Sequence, residues 1–182
     1  MTAVATNHTD KKKRNEASGF AKQLGKRHDF DVVEEEIFVC MLRTIDLVQT
    51  RSIELFEKHR ISGPLYNALR IVGGEALFSE EGITVGTIAS RLICKSPDTT
   101  RLVNRLQELG YVCCVTCPND ARRRMVQITE QGRKVLRELH RPIREMHRKH
   151  FGVLNAAEQG QLFSLLEKVR RPLSQSNDQD ER

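Results

Sequence analysis

The spacing of hydrophobic positions changes along residues 96–132, and the rest of the chain is arranged around this stretch. Ser96, followed by a proline, predicts a capped helix start, and Gly110 predicts the helix end. Between them apolar residues recur at helical spacing: Leu102, Val103, Leu106 and Leu109. The period then shortens towards two, which predicts strands over Tyr111–Cys117 and Met125–Thr129. The residues between the strands, Pro-Asn-Asp-Ala-Arg-Arg-Arg, are a turn signal that carries three arginines.

Two shorter predicted helices precede this stretch. The first begins at Ser62-Gly63-Pro64 and ends at a glycine pair. Ile83 is expected to add a short third strand to the hairpin. Thr84 caps a second helix over Val85–Leu92, and only Ile93–Lys95 separate it from Ser96. Two short helices joined by a tight turn, followed by a basic-tipped hairpin, predict a winged helix-turn-helix whose second helix enters the major groove.

Long amphipathic helices are predicted on both sides of this core. The first covers Asp31–His59, with Glu34–Glu36 in the turn where the helix dipole favours carboxylates. The second runs from Thr129 to about Phe151, with a bend expected at Pro142, and the third runs from Asn155 to near Pro172. Because such helices exceed what a small core needs, we expect them to form a dimer interface. The predicted fold is therefore mainly α, with a small antiparallel β-hairpin wing.

Composition and charge limit the class of protein further. The formal net charge is +6 and the sequence pI about 9.2, which favours a polyanionic partner. Tryptophan is absent and aromatic residues are scarce, so single-strand binding by base stacking is poorly supported. No apolar run approaches the roughly 20 residues of a membrane span, and the start lacks the apolar core of a secretion signal. Five cysteines without framework spacing suggest reduced thiols. We expect a cytoplasmic protein that does not bind membranes.

The segment Asp120–Gly132, DARRRMVQITEQG, resembles the D-x-R-x-x-x-V-x-L-T-x-x-G signature of the MarR family of transcriptional regulators. Asn119 also fits, as does TRLVNRLQELGYV in the position of the recognition helix, and Ile128 departs from the commoner leucine. The resemblance covers residues 35–170. It implies an obligate homodimer that binds palindromic DNA, usually as a repressor relieved by a small-molecule effector or an oxidant.

The domain limits follow from the predicted elements and this resemblance. Residues 31–173 are expected to form one MarR-like domain, with residues 62–132 as the DNA-binding lobe. Residues 31–60 and 130–173 are expected to supply the dimerisation helices. Polar tails, 1–30 with the basic run Lys11–Arg14 and 174–182, are expected to be disordered.

The expected DNA-binding residues lie on the predicted recognition helix and wing. Asn104 can read adenine, Arg105 can read guanine, and Arg101 suits a phosphate. The resemblance implies that Arg122 inserts into the minor groove and that Asp120 braces the wing. The alternative is a solvated helix face and turn. The full set is Lys95, Ser96, Asp98, Thr99, Thr100, Arg101, Asn104, Arg105, Asp120, Arg122, Arg123 and Arg124.

Cysteine and histidine patterns predict no metal site. Cys114 and Cys117 point to opposite faces of a regular strand, and Cys113 lies roughly 13 Å from Cys117, too far for a disulfide. Cys40 is a candidate redox sensor because some family members carry a reactive cysteine in that region, and Arg43 could lower its pKa. Its apolar neighbours favour a buried, inert thiol instead. His147 and His150 lack further ligands nearby, so ordinary exposed or interface histidines are expected.

Three rival functions differ from a regulator. An enzyme is not expected, since no phosphate loop, nucleophile elbow or metal-binding His-Glu pattern is present, and no cofactor is predicted. A non-specific DNA-architectural protein would not protect a discrete palindrome. A winged helix used only for protein contacts is disfavoured by the wing arginines and the basic pI.

Overall fold

The structure is a computed structural model that describes residues 19–79, 81–94, 98–117 and 120–180. Within these ranges it describes all side chains except those of residues 117, 120–123 and 175–180. The predictions made for the basic run Lys11–Arg14, for Lys95 and Ser96, and for the last two residues lie outside the described residues.

Helices dominate the described chain, and a small sheet completes it. The helices are α1 (Gly19–Gln23), α2 (Val33–Glu57), α3 (Gly63–Glu75), α4 (Val85–Arg91), α5 (Thr99–Glu108), α6 (Glu130–Phe151) and α7 (Ala156–Asp180). The strands are β1 (Ile83–Thr84), β2 (Val112–Cys117) and β3 (Asp120–Ile128). The prediction of a mainly α protein with a winged helix-turn-helix core is confirmed, including the short strand at Ile83. Within the described ranges, no helix is long and apolar enough to cross a membrane.

The chain divides into two compact units, and the division falls inside α2 after Thr50. In the first unit, Ala21 and Phe30 are buried, and the rings of Phe20 and Phe30 stack with their centroids 6.2 Å apart. The Lys26 ammonium lies 3.7 Å from the centroid of the Phe30 ring. We expected a disordered tail up to residue 30; instead, residues from Gly19 onwards are folded around this aromatic pair.

The second unit, from Arg51 onwards, contains the main hydrophobic core. Leu69 of α3, Ile88 of α4, Leu106 of α5 and Leu139 of α6 are all fully buried in it. The apolar positions that recur along these helices are therefore the positions that meet. Helix α3 is central, since it packs against α4, α5, α6 and β3. Because α5 is fixed on its apolar side by this core, its opposite side faces outwards.

The sheet has the strand order β1-β3-β2, and both pairings are antiparallel. Ile83 lies opposite Val126 in one pairing, and Cys114 lies opposite Val126 in the other. Gly82 precedes β1 with φ +88°, and a Cβ there would lie 2.6 Å from the carbonyl oxygen of Val126. Glycine is therefore needed where β1 meets the wing strand.

The start of α6 is joined to the end of α5 by hydrogen bonds. The Thr129 hydroxyl accepts a bond of 3.1 Å from the Gly132 N–H, as the predicted N-cap, and donates one of 2.6 Å to the Gly110 carbonyl. Gly110 has φ +74°, in agreement with its predicted role at the helix end. A Cβ on Gly132 would lie 2.2 Å from the Tyr111 carbonyl oxygen. These contacts fix the base of the wing against the recognition helix.

The last helix is longer than the sequence predicted. We expected it to end near Pro172 and residues 174–182 to be a disordered tail, but α7 continues to Asp180. The Ser174 hydroxyl donates a bond of 3.2 Å to the Arg170 carbonyl, across the turn that contains the proline. A proline removes one backbone hydrogen bond, and the neighbouring turns keep theirs. Pro142 likewise lies inside α6 without ending it.

Candidate nucleic-acid interface

Helix α5 is capped by Asp98. The Asp98 carboxylate accepts a hydrogen bond of 2.8 Å from the backbone N–H of Arg101, and the helix begins at Thr99. The prediction that the cap is Ser96 is therefore wrong, because a cap must reach the free N–H groups of the first turn. Asp98 is among the residues predicted to contact DNA, whereas in the structure its carboxylate caps the helix.

The exposed face of α5 carries most of the predicted contact residues. Thr100, Arg101, Asn104 and Arg105 are exposed. Thr99 departs from the prediction, since it is only 7% exposed. The reason is its register: Thr99 is four residues before Val103, which is buried in the core, so it lies on the packed side of the helix. Thr99 is a buried residue and not part of the outward face.

Two features of this face were not predicted. Gln107 is exposed and follows Asn104 by one helical turn, so the two amides lie one above the other. The spacing from Thr100 to Asn104 to Gln107 would have identified it. Arg105 forms an ion pair of 2.7 Å with Glu108, and the Arg105 side chain is still 43% exposed. To contact a base, the Arg105 guanidinium has to exchange this carboxylate for the base edge.

Helix α4 ends at Arg91 and α5 begins at Thr99, so the two helices are farther apart in the chain than the three- or four-residue turn expected. Two contacts from α3 hold the beginning of this connection. The Asn67 side-chain oxygen accepts a bond of 2.9 Å from the Ile93 N–H, and Glu75 forms an ion pair of 2.6 Å with Arg91. Leu92 is buried. The approach to the recognition helix is therefore positioned by α3, whereas Lys95 lies outside the described residues.

The wing arginines lie in a strand and not in a turn as predicted. Strand β3 begins at Asp120, Arg124 lies opposite Thr116, and Asp120 lies opposite Cys117. The register shifts between Thr116 and Cys117, so residues 121–123 form an irregular segment of the strand. Arg124 is exposed, and the side chains of Asp120, Arg122 and Arg123 are outside the described ones, as are Pro118 and Asn119.

The thiols differ in part from expectation. Cys40 is exposed in the chain, whereas its apolar neighbours had favoured burial. The Arg43 guanidinium, considered as a partner for this thiol, forms an ion pair of 3.1 Å with Asp46. Cys113 and Cys114 in β2 are free thiols. No group of three or more metal-ligating side chains occurs among the described residues.

Large apolar side chains are exposed along α2 and α7. On α2 they include Phe38, which is 61% exposed, and on α7 Phe163, which is 68% exposed. None of the described side chains of α7 is buried. A helix in a soluble protein gains most of its stability from packing of its apolar face. Both helices therefore present apolar surface that the single chain leaves uncovered.

The known proteins that are similar in sequence to this chain are named as transcriptional regulators. No family model matches the chain. The repressor IacR of Pseudomonas putida, named as an HTH-type transcriptional repressor, is 30% identical over 123 residues, which cover 66% of this chain and 70% of that protein. The chain spans 64% of the length of another relative, a transcriptional regulatory protein from Thauera aromatica.

Solved structures show the same fold. A MarR transcription factor from Planctomyces limnophilus is 33% identical, with a TM-score of 0.57 over 76% of this chain and 98% of that one. PcaV of Streptomyces coelicolor, a transcriptional regulator solved with its natural ligand, is 26% identical, with a TM-score of 0.55 over 70% and 89%. With its winged helix-turn-helix and the Asp120–Gly132 motif, the chain belongs to the MarR family of DNA-binding transcriptional regulators.

Proposed function

We propose that the protein is a homodimeric, sequence-specific repressor that binds a palindromic operator and is released from it by a small-molecule effector. The observation that carries the proposal is the outward face of α5. There Thr100, Arg101, Asn104 and Arg105 are exposed, while Val103 and Leu106 anchor the helix in the core. A helix held on one side with hydrogen-bonding side chains on the other suits the major groove.

The side chains divide by what they can contact. The Asn104 amide can donate to and accept from adenine, and a bidentate contact of this kind discriminates against a wrong base by about 1–3 kcal/mol. Arg105 can reach guanine once it leaves Glu108. Arg101, in the first turn of α5, suits a phosphate, which adds affinity without sequence information. In this proposal Lys95, Ser96 and Thr100 lie near the sugar-phosphate backbone of the DNA. Thr99 packs in the protein core and does not contact DNA.

The wing supplies the second contact. In this proposal Arg122 enters the minor groove, with Arg123 and Arg124 near phosphates and Asp120 bracing a guanidinium. The support is their position at the end of β3 that is farthest from its junction with α6. A narrow minor groove has an enhanced negative potential that attracts arginine.

A two-fold dimer would cover the uncovered apolar helices. The apolar side chains exposed on α7, and those on α2, are the surface that a second copy would bury. In a two-fold dimer each patch meets the same patch or its complement on the partner. Two copies of α5 would then read half-sites about one helical turn apart, roughly 34 Å.

An effector is proposed by analogy with relatives. PcaV was solved with its natural ligand, and IacR is named a repressor. A ligand that binds the DNA-free form more tightly than the DNA-bound form would lower the affinity for the operator. The reduction equals the ratio of the ligand's affinities for the two forms.

A second candidate mechanism is a thiol switch at Cys40, which one observation favours: the residue is exposed in the chain. Intact-mass measurement after mild peroxide, in parallel with a gel shift on wild type and Cys40→Ser, separates the two mechanisms. Peroxide-induced release that Cys40→Ser abolishes supports the thiol switch. Release by peroxide in both proteins, or in neither, eliminates it.

The test of the main proposal is footprinting of genomic DNA with the purified protein. Protection of a discrete palindrome supports a specific regulator, and uniform protection would overturn it in favour of an architectural protein. On that palindrome, Arg122→Ala should weaken binding by at least about tenfold at fixed salt, whereas the exposed control Lys58→Ala should not. Asn104→Ala should relax sequence preference, and Arg101→Ala should flatten the salt dependence instead.

A further inference from the structure

Five arginines form a stripe along α6 that the reading of an operator by α5 does not use. At 3.6 residues per turn they lie within an arc of about 80°, over a length of about 22 Å. The members of this arginine stripe are Arg133, Arg137, Arg141, Arg144 and Arg148. The opposite side of α6 carries Val135, Leu139 and Ile143, which are buried in the core. Arg133 is half-buried and the other four arginines are exposed, so the stripe lies on the outward side of a helix whose inward side is packed in the core.

Carboxylates neutralise only part of this stripe. Arg137 forms an ion pair of 2.7 Å with Glu130, and Arg141 forms one of 2.8 Å with Glu145. The hydrogen bonds from these arginines lower the pKa of both glutamates, so both carboxylates are charged at neutral pH. In the part of the chain that the structure describes, Arg144 and Arg148 form no ion pair. The far half of the stripe is thus exposed positive charge.

The charge on α6 is a large part of the charge of the whole protein. The helix carries seven Lys and Arg against three Glu, a formal +4, and the chain as a whole carries a formal +6. The basic pI therefore does not arise from the recognition helix and the wing alone, because α6 contributes to it as well. The arginine stripe is therefore a second basic surface, in addition to the recognition helix and the wing.

The spacing of the arginines within the stripe causes repulsion between like charges when the helix surface is exposed to solvent. Arg133 and Arg137, Arg137 and Arg141, and Arg144 and Arg148 are like charges at i, i+4. Each such pair destabilises an isolated helix by about 0.2–0.5 kcal/mol. A row of anions along the stripe would turn this repulsion into attraction.

We propose that the arginine stripe binds the phosphates of double-stranded DNA outside the half-site that α5 reads. The proposal rests on the proposed function, because operator binding brings duplex DNA to the protein. The guanidinium group pairs with phosphate in a bidentate way, and a row of arginines about 22 Å long matches a run of phosphates along one strand. Such contacts read no sequence. They extend the length of DNA that the protein covers, and they make the binding affinity depend more steeply on salt concentration.

The experiment compares a short and a long duplex. The variant Arg144→Gln/Arg148→Gln removes two exposed arginines that lack ion pairs within the described ranges, and Lys22→Gln/Lys58→Gln removes the same charge from exposed positions outside α6 and α7. On an operator duplex of about 20 base pairs, the stripe variant should bind within about twofold of wild type. On a duplex of about 60 base pairs with the same operator, it should bind roughly tenfold more weakly at low salt. The slope of log affinity against log salt should fall by about 1–2 units there and remain unchanged for the control.

Two results would overturn the inference. In the first, the stripe variant and wild type have the same affinity and the same salt slope on the long duplex. In the second, the stripe variant loses affinity equally on both duplexes and light scattering shows loss of the dimer, which would assign the stripe to contacts between subunits. Neither result affects the proposed function, which fails separately if wild type does not bind the short operator.

Discussion

The phenolic hydroxyl of Tyr111 donates a hydrogen bond of 2.9 Å to the backbone carbonyl of His59. Tyr111 directly precedes wing strand β2, and His59 lies in the connection between α2 and α3. The bond thus joins residues 52 positions apart in the sequence, and the Tyr111 ring is buried beside it. It holds the base of the wing to the region where the long first helix ends.

Removing this bond should lower stability without changing the packing of the ring. Tyr111→Phe deletes the donor and leaves the His59 carbonyl without it, so the free energy of unfolding should fall by about 1 kcal/mol. Urea denaturation measures the change. Tyr66→Phe is the control, because the Tyr66 hydroxyl forms no hydrogen bond within the described ranges, and this variant should change stability less. An equal loss in both variants would contradict the assignment.

The cap of the recognition helix can be tested at one position. Asp98→Ala removes the acceptor of the Arg101 N–H and should lower stability by about 1 kcal/mol, with faster amide exchange in the first turn of α5. Asp98→Asn keeps a capping oxygen and should preserve both properties. If Asn fails as Ala does, the carboxylate charge and not the cap is what matters.

Two helical glycines should respond to alanine in opposite directions. At Gly132 a Cβ would lie 2.2 Å from the Tyr111 carbonyl oxygen, so Gly132→Ala should destabilise by about 2–3 kcal/mol. At Gly160 in α7 nothing lies within 4 Å, and Gly160→Ala should stabilise the helix by about 0.5–1 kcal/mol. Thermal unfolding of both variants gives the comparison. A stable Gly132→Ala protein would show that α6 and the wing base are not in contact as described.

The dimer proposal predicts the effect of charge on α7. Phe163 is 68% exposed in the single chain, and a buried aromatic at an interface typically contributes about 2 kcal/mol or more. Phe163→Asp should therefore weaken dimerisation by more than about tenfold, as measured by light scattering over a concentration series. Gln161→Asp adds the same charge two residues away and should have a smaller effect. A dimer unaffected by Phe163→Asp would move the interface elsewhere.

Local patterns in the sequence determined the elements and the family. The helical spacing of Val103 and Leu106, the threonines at 84 and 129 that cap helices, and the change to alternation after Gly110 all depend on neighbouring residues. The wing motif likewise lies within one segment, Asp120–Gly132. For these reasons the winged helix-turn-helix could be predicted from the chain alone.

Only the tertiary structure decided which side of each helix or strand faces outwards and which groups of the protein bind each polar side chain. It buried Thr99 beside Val103, gave the capping role to Asp98 and paired Arg105 with Glu108. It also showed that the arginines of α6 share one outward face opposite Leu139. The physical reason is that burial and ion pairing depend on residues that are brought together by packing, whereas capping signals and periodicity act within a few residues of the chain.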